Sequence, residues 1–526
     1  MMKLSVLKSL AAVILSAGIT AGALAETNGT ELRIGVSGAF NSVDPMFHNL
    51  TPNLDVSKHL FDGLVKLDEN LELKPGLAQS WKLVNDTVWE FKLRPGVKFH
   101  DGKLLMPEDV IFSIERAPNV PNSPSSFAGY VTSVERVIEI DPLTIHVETK
   151  EPNPTLPRDL VNISILSKSA AEGKTTDDFN KGAAAVGTGP FKFVEFEHGR
   201  RIVLARNGGY WGEMPAWEKV TILPITNSAA RVASLLTGDV DVIAGIPPID
   251  LPKLRENSKI TIVSGPQSRI FYLQIDHRDR APMVFNNDGE VFDKNPLQDL
   301  RVRQAMSKAI NRQLLIDRVM EGEAVPAGQI LPNGFYGANP TLDQADAYDP
   351  EGARKLLTEA GYPDGFRMTL TTSHDRYPTA ESMVQAIAQM LTRVGIKTDV
   401  ELAPHSIFRK RGRAGELSVQ FGGWGNDGAT SFMVGVLHTP DKERGFGPAN
   451  RGVYSNPAFD QALEEALRTM DVDERLGKIR KATEMVINDL AIIPLYWATH
   501  SWGMRKDLAF IPNPLQHTPA MEIRPR

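Results

Sequence analysis

The chain contains no cysteine. Disulfides, thiolate metal centres and cysteine nucleophiles are therefore excluded, as is a lipid anchor on a cysteine at a cleavage site. Long apolar runs are equally scarce: after residue 25 no stretch is long and apolar enough to span a bilayer. Charge of one sign is lacking too. The formal net charge is −6, and this mild acidity argues against nucleic acid as a partner. The composition of a disordered chain is missing as well, since 42% of residues are hydrophobic and 23% charged, as in an ordinary globular protein. No internal repeat or low-complexity tract is evident. With 526 residues the chain is too long for one core, so two or three domains are expected.

The amino terminus reads as a segment to be removed. Lys3 and Lys8 are followed by an apolar stretch from Leu10 to Ala23, and Ala23-Leu24-Ala25 fits a small-x-small cleavage pattern before Glu26. Residues 1–25 are thus expected to be a cleavable signal peptide and the remainder an exported protein without a membrane anchor.

The most informative stretch runs from Leu77 to Arg116. Trp89, Phe91 and Leu93 alternate with Glu90, Lys92 and Arg94, the period of a half-buried strand. Pro95-Gly96 turns the chain, Val97 and Phe99 restart the alternation, and His100-Asp101-Gly102 turns it again. Pro107 suits a first helical position, with Glu108 and Asp109 in the first turn where the helix dipole favours negative charge. Val110, Ile111 and Ile114 give that helix its apolar stripe.

As a string, WEFKLRPGVKFHDGKLLMPEDVIFS resembles the signature of the family 5 extracytoplasmic solute-binding proteins, the peptide- and nickel-binding receptors of bacterial ABC importers. Further matches run along most of the chain. They include Asn41 to Pro45, Leu60 to Leu71, Gly187 to Phe191, Arg206 to Trp211, Arg231 to Ile243, Asp299 to Ile316 and Ala491 to Trp497. Asp44 in the first of these is read as a turn cap. The Gly187-Thr188-Gly189 segment is read as a tight turn, because it lacks the Gly-Lys-Ser/Thr of a phosphate loop and Pro190 has no N–H to offer an anion.

Local signals fill in the second half. Asp299 and Asn311 should cap a helix pair with Val302, Ala305, Met306 and Ala309 inward. Asp349-Pro350 opens a helix that Gly361 stops. A further helix carries Met383, Ile387, Met390 and Leu391 and ends at Gly395. The strand Ile396 to Leu402 follows, so two αβ units in succession imply an α/β domain. Asn456-Pro457 opens another helix, and one more runs to about Asn488. Phe408 to Arg413 holds four basic residues, read as a solvated helix end.

The resemblance implies an α/β fold of the periplasmic-binding-protein type II-like class, bilobal with an extra subdomain, so that three lobes surround a hinge and a ligand cleft. The expected division is 26–59 with 187–277 and 490–526 as lobe I, 60–186 as lobe II and 278–489 as lobe III. It also implies a monomeric periplasmic receptor that closes on a solute and docks on inner-membrane ABC permease subunits served by their ATPases. No cofactor and no enzymatic activity are implied. An unanchored receptor of this kind points to a Gram-negative periplasm.

Peptide-binding members carry a W-x-x-D whose Asp pairs with the peptide α-ammonium group. Gly423-Trp424-Gly425-Asn426-Asp427 matches this spacing, so Trp424, Asn426 and Asp427 are the expected ligand wall, with Gly428 to Phe432 following in a loop shorter than that of the peptide binders. Asp427 could instead cap a helix beginning near Ser431. Dipeptide binders place an Arg near the start of the Met383 helix for the ligand carboxylate; here that helix starts with Thr379-Ala380-Glu381 and without Arg, and Arg376, a few residues upstream in what also reads as a surface loop, is the candidate substitute. The eleven histidines are scattered, with none beside a carboxylate cluster except at His100-Asp101 and His374-Asp375, so a metal site is not expected. The expected function is import of di- or oligopeptides. The alternatives are the same role for a nickel chelate, haem, an opine-like conjugate or an oligosaccharide and, more distantly, an exported hydrolase, for which no G-x-S-x-G, H-E-x-x-H or S-x-x-K stands in a supporting context.

Overall fold

The computed structural model describes residues 30–377, 379–425 and 428–526. The expected leader, residues 1–25, and two expected site residues, Asn426 and Asp427, lie outside the described residues. Among these, no helix is long and apolar enough to cross a membrane.

Strand β1 (Glu31–Val36) buries Leu32 and Ile34 completely, and helix α1 (Thr51–Leu60) buries Val56 and Leu60. Strand β2 (Val88–Leu93) turns Trp89, Phe91 and Leu93 inward. It sits in a four-stranded antiparallel sheet with Ala78–Asn85, Thr144–Thr149 and Val134–Asp141. Helix α2 (Pro107–Arg116) starts where its proline predicts. Its Asp109 accepts from the Met106 N–H at 2.9 Å and from the Lys168 N–H at 2.8 Å, so one carboxylate closes the helix start and ties down a distant segment. Val97 and Phe99 are buried as their alternation predicts, but they form no strand. Only a Lys98–Leu104 bridge pairs there, because no neighbouring strand runs alongside to continue a ladder.

The second half is built on long strands. The elements that frame the cleft are strand β3 (Ile260–Ile275), helix α3 (Ala380–Arg393), helix α4 (His405–Arg413), strand β4 (Val419–Gly425) and strand β5 (Ile492–Arg505). Among the described residues, one mixed sheet of twelve strands runs through the molecule. In it β3 lies antiparallel between β4 and β5. On one side β5 continues through Val242–Ala244 to β1, which pairs in parallel with Lys219–Pro224. On the other side, the two expected αβ units place Phe366–Ser373 parallel to Ile396–Ala403. The expected caps are made by side chains: Asp299, Asn311, Asp349 and Asn456 accept from the N–H groups of Arg301, Leu314, Gly352 and Ala458. The short helix after β4 begins at Ala429, with Gly428 at its N-cap, earlier than the expected start near Ser431.

The two largest apolar clusters among the described residues lie on this frame. One gathers residues between Leu32 and Ala244 with the carboxy-terminal segment Trp502 to Ile523. The other gathers residues between Phe271 and Ala498. The carboxy terminus is pinned by indoles: Trp217 Nε1 donates to the Ile523 carbonyl at 2.6 Å and Trp502 Nε1 to Thr518 Oγ1 at 3.0 Å. The turn reading of Gly187-Thr188-Gly189 accounts for its contacts. A Cβ on Gly187 would lie 2.0 Å from the Leu60 carbonyl oxygen, so the segment passes the end of α1 at a distance only glycine permits. Thr188 Oγ1 donates to Asp62 at 2.9 Å.

Two histidines are locked as neutral tautomers at these junctions. His59 Nε2 accepts from the Ala520 N–H (2.9 Å) while its Nδ1 donates to the Asp55 carbonyl (2.8 Å). His100 Nδ1 accepts from the Gly187 N–H (3.2 Å) while Nε2 donates to the Gly189 carbonyl (3.1 Å). Burial pushes both down to about 4, and does the same to His277 and His500. These folded-state values lie below the unfolded one, so the unfolded chain takes up protons first as pH falls. The stability these groups contribute is present above about pH 6.5 and is lost as pH drops through 4, at about 1.4 kcal/mol per unit for each. Burial pushes the Asp55 carboxyl up to about 7, which offsets one of the four over the same range, so the urea midpoint should fall between pH 7 and pH 5 by the balance of the other three. A midpoint constant over that range would contradict the neutral assignment.

Candidate functional site

An aromatic spine positions the site. Phe271 on β3 stacks on Tyr496 of β5 (centroids 4.8 Å apart, 13° between planes) and meets Tyr377 edge-on at 4.9 Å. The Tyr377 hydroxyl donates to the Gly423 carbonyl of β4 at 3.0 Å, which fixes the turn preceding α3 against the sheet. One step along β3, Ile270 pairs with Trp424 and Arg269 with Gly425. Trp424 is half-buried, edge-on to Phe432 at 6.4 Å, and a Cβ on Gly435 would stand 3.0 Å from its ring. The indole is therefore held by a close backbone behind it and presents its other side to open space.

Three cavities adjoin here. The first, of 370 Å³, is lined by Trp424 and Gly425 of β4, by Arg376 and Tyr377, and by α4 from His405 to Arg413. The second, of 490 Å³, lies over Tyr496 and His500 of β5 and also reaches Arg376 and Tyr377. The third, of 510 Å³, opens between Trp424 and the opposing segment that carries Lys58, Tyr130 and Arg158. Arg269 lines all three. Together they form a cleft of the size that small-molecule and short-peptide sites occupy, walled by rings and a few polar groups.

The electrostatics of the first cavity are one-sided. Arg269, Arg376, Arg409, Arg413 and Arg451 line it, and no aspartate or glutamate among the described residues does. Burial, opposed by Tyr377, and the adjacent Arg376 hold Arg269 below the usual arginine range. Burial, opposed by Tyr272, and the charges of Arg409 and Arg413 do the same to Arg451. Burial lowers His405 too, aided by Arg376 and Arg409 and opposed by Asp375. Arg269, Arg451 and His405 thus stand in the field of neighbouring cations.

The structure brings two of the expected site residues together: Trp424 and Arg376 line the same cavity. Arg376 is exposed, as a surface loop predicts, with its guanidinium 5.2 Å from the Tyr377 ring. Asn426 and Asp427 lie outside the described residues, and their neighbour Gly425 borders the first and third cavities. The basic run Phe408 to Arg413 is a helix end with exposed arginines, as expected, yet two of them, Arg409 and Arg413, face the cavity, which the solvated reading missed. Among the described residues, no group of three His, Asp or Glu side chains could hold a metal. Asp44 does cap its turn, accepting from the Met46 N–H at 3.1 Å, and is also clamped by Arg116 away from the cleft.

Arg269, Arg451 and Gln420 were not anticipated. Arg269 carried a signal: counting back from Ile275, Leu273 and Phe271, it continues the same alternation, where a charge needs a reason. Arg451 sits in a loop and carried none.

Residues 72–442 match the family model described as bacterial extracellular solute-binding proteins, family 5 middle. The glutathione-binding protein GsiB of Pectobacterium atrosepticum is 28% identical over 499 residues, covering 90% of each chain. Heme-binding protein A of Haemophilus influenzae is 28% identical over 477 residues, covering 85% of this chain and 82% of its own. The periplasmic binding protein DppA of Helicobacter pylori, solved in complex with the peptide STSA, superposes with a TM-score of 0.71 at 25% identity, covering 94% of this chain and 98% of its own. The chain therefore has the bilobal α/β architecture with an extra subdomain that the sequence led us to expect.

Proposed function

We propose that this chain, which belongs to the family 5 bacterial extracellular solute-binding proteins, is a peptide receptor of an ABC importer. The family places it in the periplasm as a solute-binding receptor that works with an ABC permease and its ATPases. The peptide as solute, the cleavage after Ala25 and the residue roles are our reading. So is the division into lobe I (26–59, 187–277, 490–526), lobe II (60–186) and lobe III (278–489), which puts the third cavity between lobes. The observation that carries the reading is the cleft around Trp424: Arg269 and Trp424 hold one wall while the segment from Thr51 to Asn162 supplies the other. A solute in it touches both sides, so it binds the closed form more tightly than the open one, and the permease reads the closed form.

In this reading Trp424 and Asn426 form the wall beside the peptide's amino end, Asp427 pairs with its α-ammonium group, and Arg376 takes a carboxylate. A carboxylate in a closed, water-poor cleft gains far more from a cation than it would in water. Removing one partner of a desolvated pair costs about 2–5 kcal/mol. Native mass spectrometry of the protein purified from periplasm tests this. A ladder of retained masses fitting short peptides, lost in Asp427→Ala with the fold intact, is the expected result. A single non-peptide mass, or peptides retained equally by the variant, would overturn it. A haem-sized mass would favour the second reading, which the heme-binding relative supports: the same receptor role with a non-peptide solute.

A further inference from the structure

We infer that the arginine-lined cavity beside Trp424 receives the anionic groups of the solute, and that this solute carries at least two carboxylates. The inference rests on the receptor reading and narrows its substrate class to acidic peptides and peptide conjugates.

Five guanidinium groups line a space of 370 Å³ with no described carboxylate among them. None of the five makes an ion pair with a described residue, whereas arginines around them are engaged. Arg411, on the same helix as Arg409 and Arg413, pairs with Glu401 and with Glu416 at 3.1 Å, and Arg278 pairs with Asp276 at 2.6 Å. Five arginines without a described carboxylate partner are thus gathered at one place. In a chain whose formal net charge is −6, such a concave positive patch focuses its field on an approaching anion.

A second, independent feature lies in the same cavity. Gln420 is only 2% exposed, and neither its amide nitrogen nor its amide oxygen has a hydrogen-bond partner. Arg451 Nε and His405 Nδ1 are buried and unpartnered beside it. Buried polar groups are nearly always paired, because leaving one unpaired forfeits its hydration without return. Unpaired groups of this kind clustered in a cavity mark a place where a ligand supplies the partners. The planar forks of arginine match carboxylates two bonds at a time. A single carboxylate would leave most of five cations unsatisfied, and the positive field would persist after closure.

Isothermal titration calorimetry on protein freed of retained solute tests this with Ala-Ala-Ala, Lys-Ala-Lys, Glu-Ala-Glu and glutarate as probes. Glu-Ala-Glu should bind at least tenfold more tightly than Ala-Ala-Ala, and Lys-Ala-Lys more weakly than either. In the Arg409→Gln/Arg451→Gln variant, with its circular dichroism unchanged, that preference should collapse. Equal affinity for the three peptides would overturn the inference and leave the peptide reading standing. Arginine-dependent binding of glutarate with no peptide binding would uphold the inference and overturn the peptide reading. Failure of both acidic probes to bind would overturn the inference.

Discussion

Arg116→Met is expected to destabilise the folded protein by about 3–5 kcal/mol, the cost of leaving a buried charge without its partner. The Asp44 side chain is fully buried and receives both arms of the Arg116 fork, at 2.9 and 2.6 Å, together with Thr176 Oγ1 at 2.8 Å. The guanidinium also lies 4.8 Å from the Phe179 ring. Three segments distant in sequence, the turn after β1, the end of α2 and the Thr176 helix, therefore meet on one carboxylate. Methionine keeps the packing over Phe179 but abandons that carboxylate. Arg116→Lys should lose less, since it keeps the charge and gives up only the fork. The double variant Asp44→Asn/Arg116→Met should lose less than Arg116→Met alone, because no ion is left stranded. Urea titration of the three variants reads these differences, and a loss below about 1 kcal/mol for Arg116→Met would refute the buried-pair account.

The elements that could be read from sequence are those whose causes are local. Asp299, Asn311, Asp349 and Asn456 cap helices because a short polar side chain reaches the N–H two or three residues ahead, and that reach needs no knowledge of the rest of the fold. Val97 to Phe99 mark the limit. Their alternation buries them correctly, but a strand also needs a partner, and partnership is set by the chain far away. The candidate site obeys the same division. Trp424 was named from a spacing shared with a family and Arg376 only from its place a few residues before a helix where that family holds an arginine, whereas Arg269, though it continues the alternation of Phe271, Leu273 and Ile275, was not anticipated. The arginine cavity as a whole was not. It is assembled from β3, the turn before α3, α4 and a loop at residue 451, and no window of sequence contains all of them. Arg409 and Arg413, taken in their own window, can only read as a solvated helix end.

Arg269→Met should abolish solute retention while making the empty protein more stable. The two effects have one cause. Arg269 is partly buried at the junction of three cavities, pressed against Gly425, whose added Cβ would stand 3.3 Å from Nη2. It has no ion-pair partner among the described residues, and burial together with Arg376 already disfavours its charged form. A buried charge without an opposite partner is a standing cost, and replacing it with an apolar side chain of similar length removes that cost, by about 1 kcal/mol or more. Strain of this kind persists where function needs it, because the bound solute's anion supplies the missing partner. Losing that pair on binding should cost about 2–5 kcal/mol, a reduction in affinity on the order of 30-fold to several thousandfold. Thermal denaturation with and without Glu-Ala-Glu measures both effects in one experiment. The variant without peptide should melt above the wild type without peptide, and the upward shift that the peptide gives the wild type should vanish. A variant that melts lower when empty would mean that Arg269 is held by the fold for its structure. A variant that keeps the full peptide-induced shift would mean that the solute does not reach Arg269.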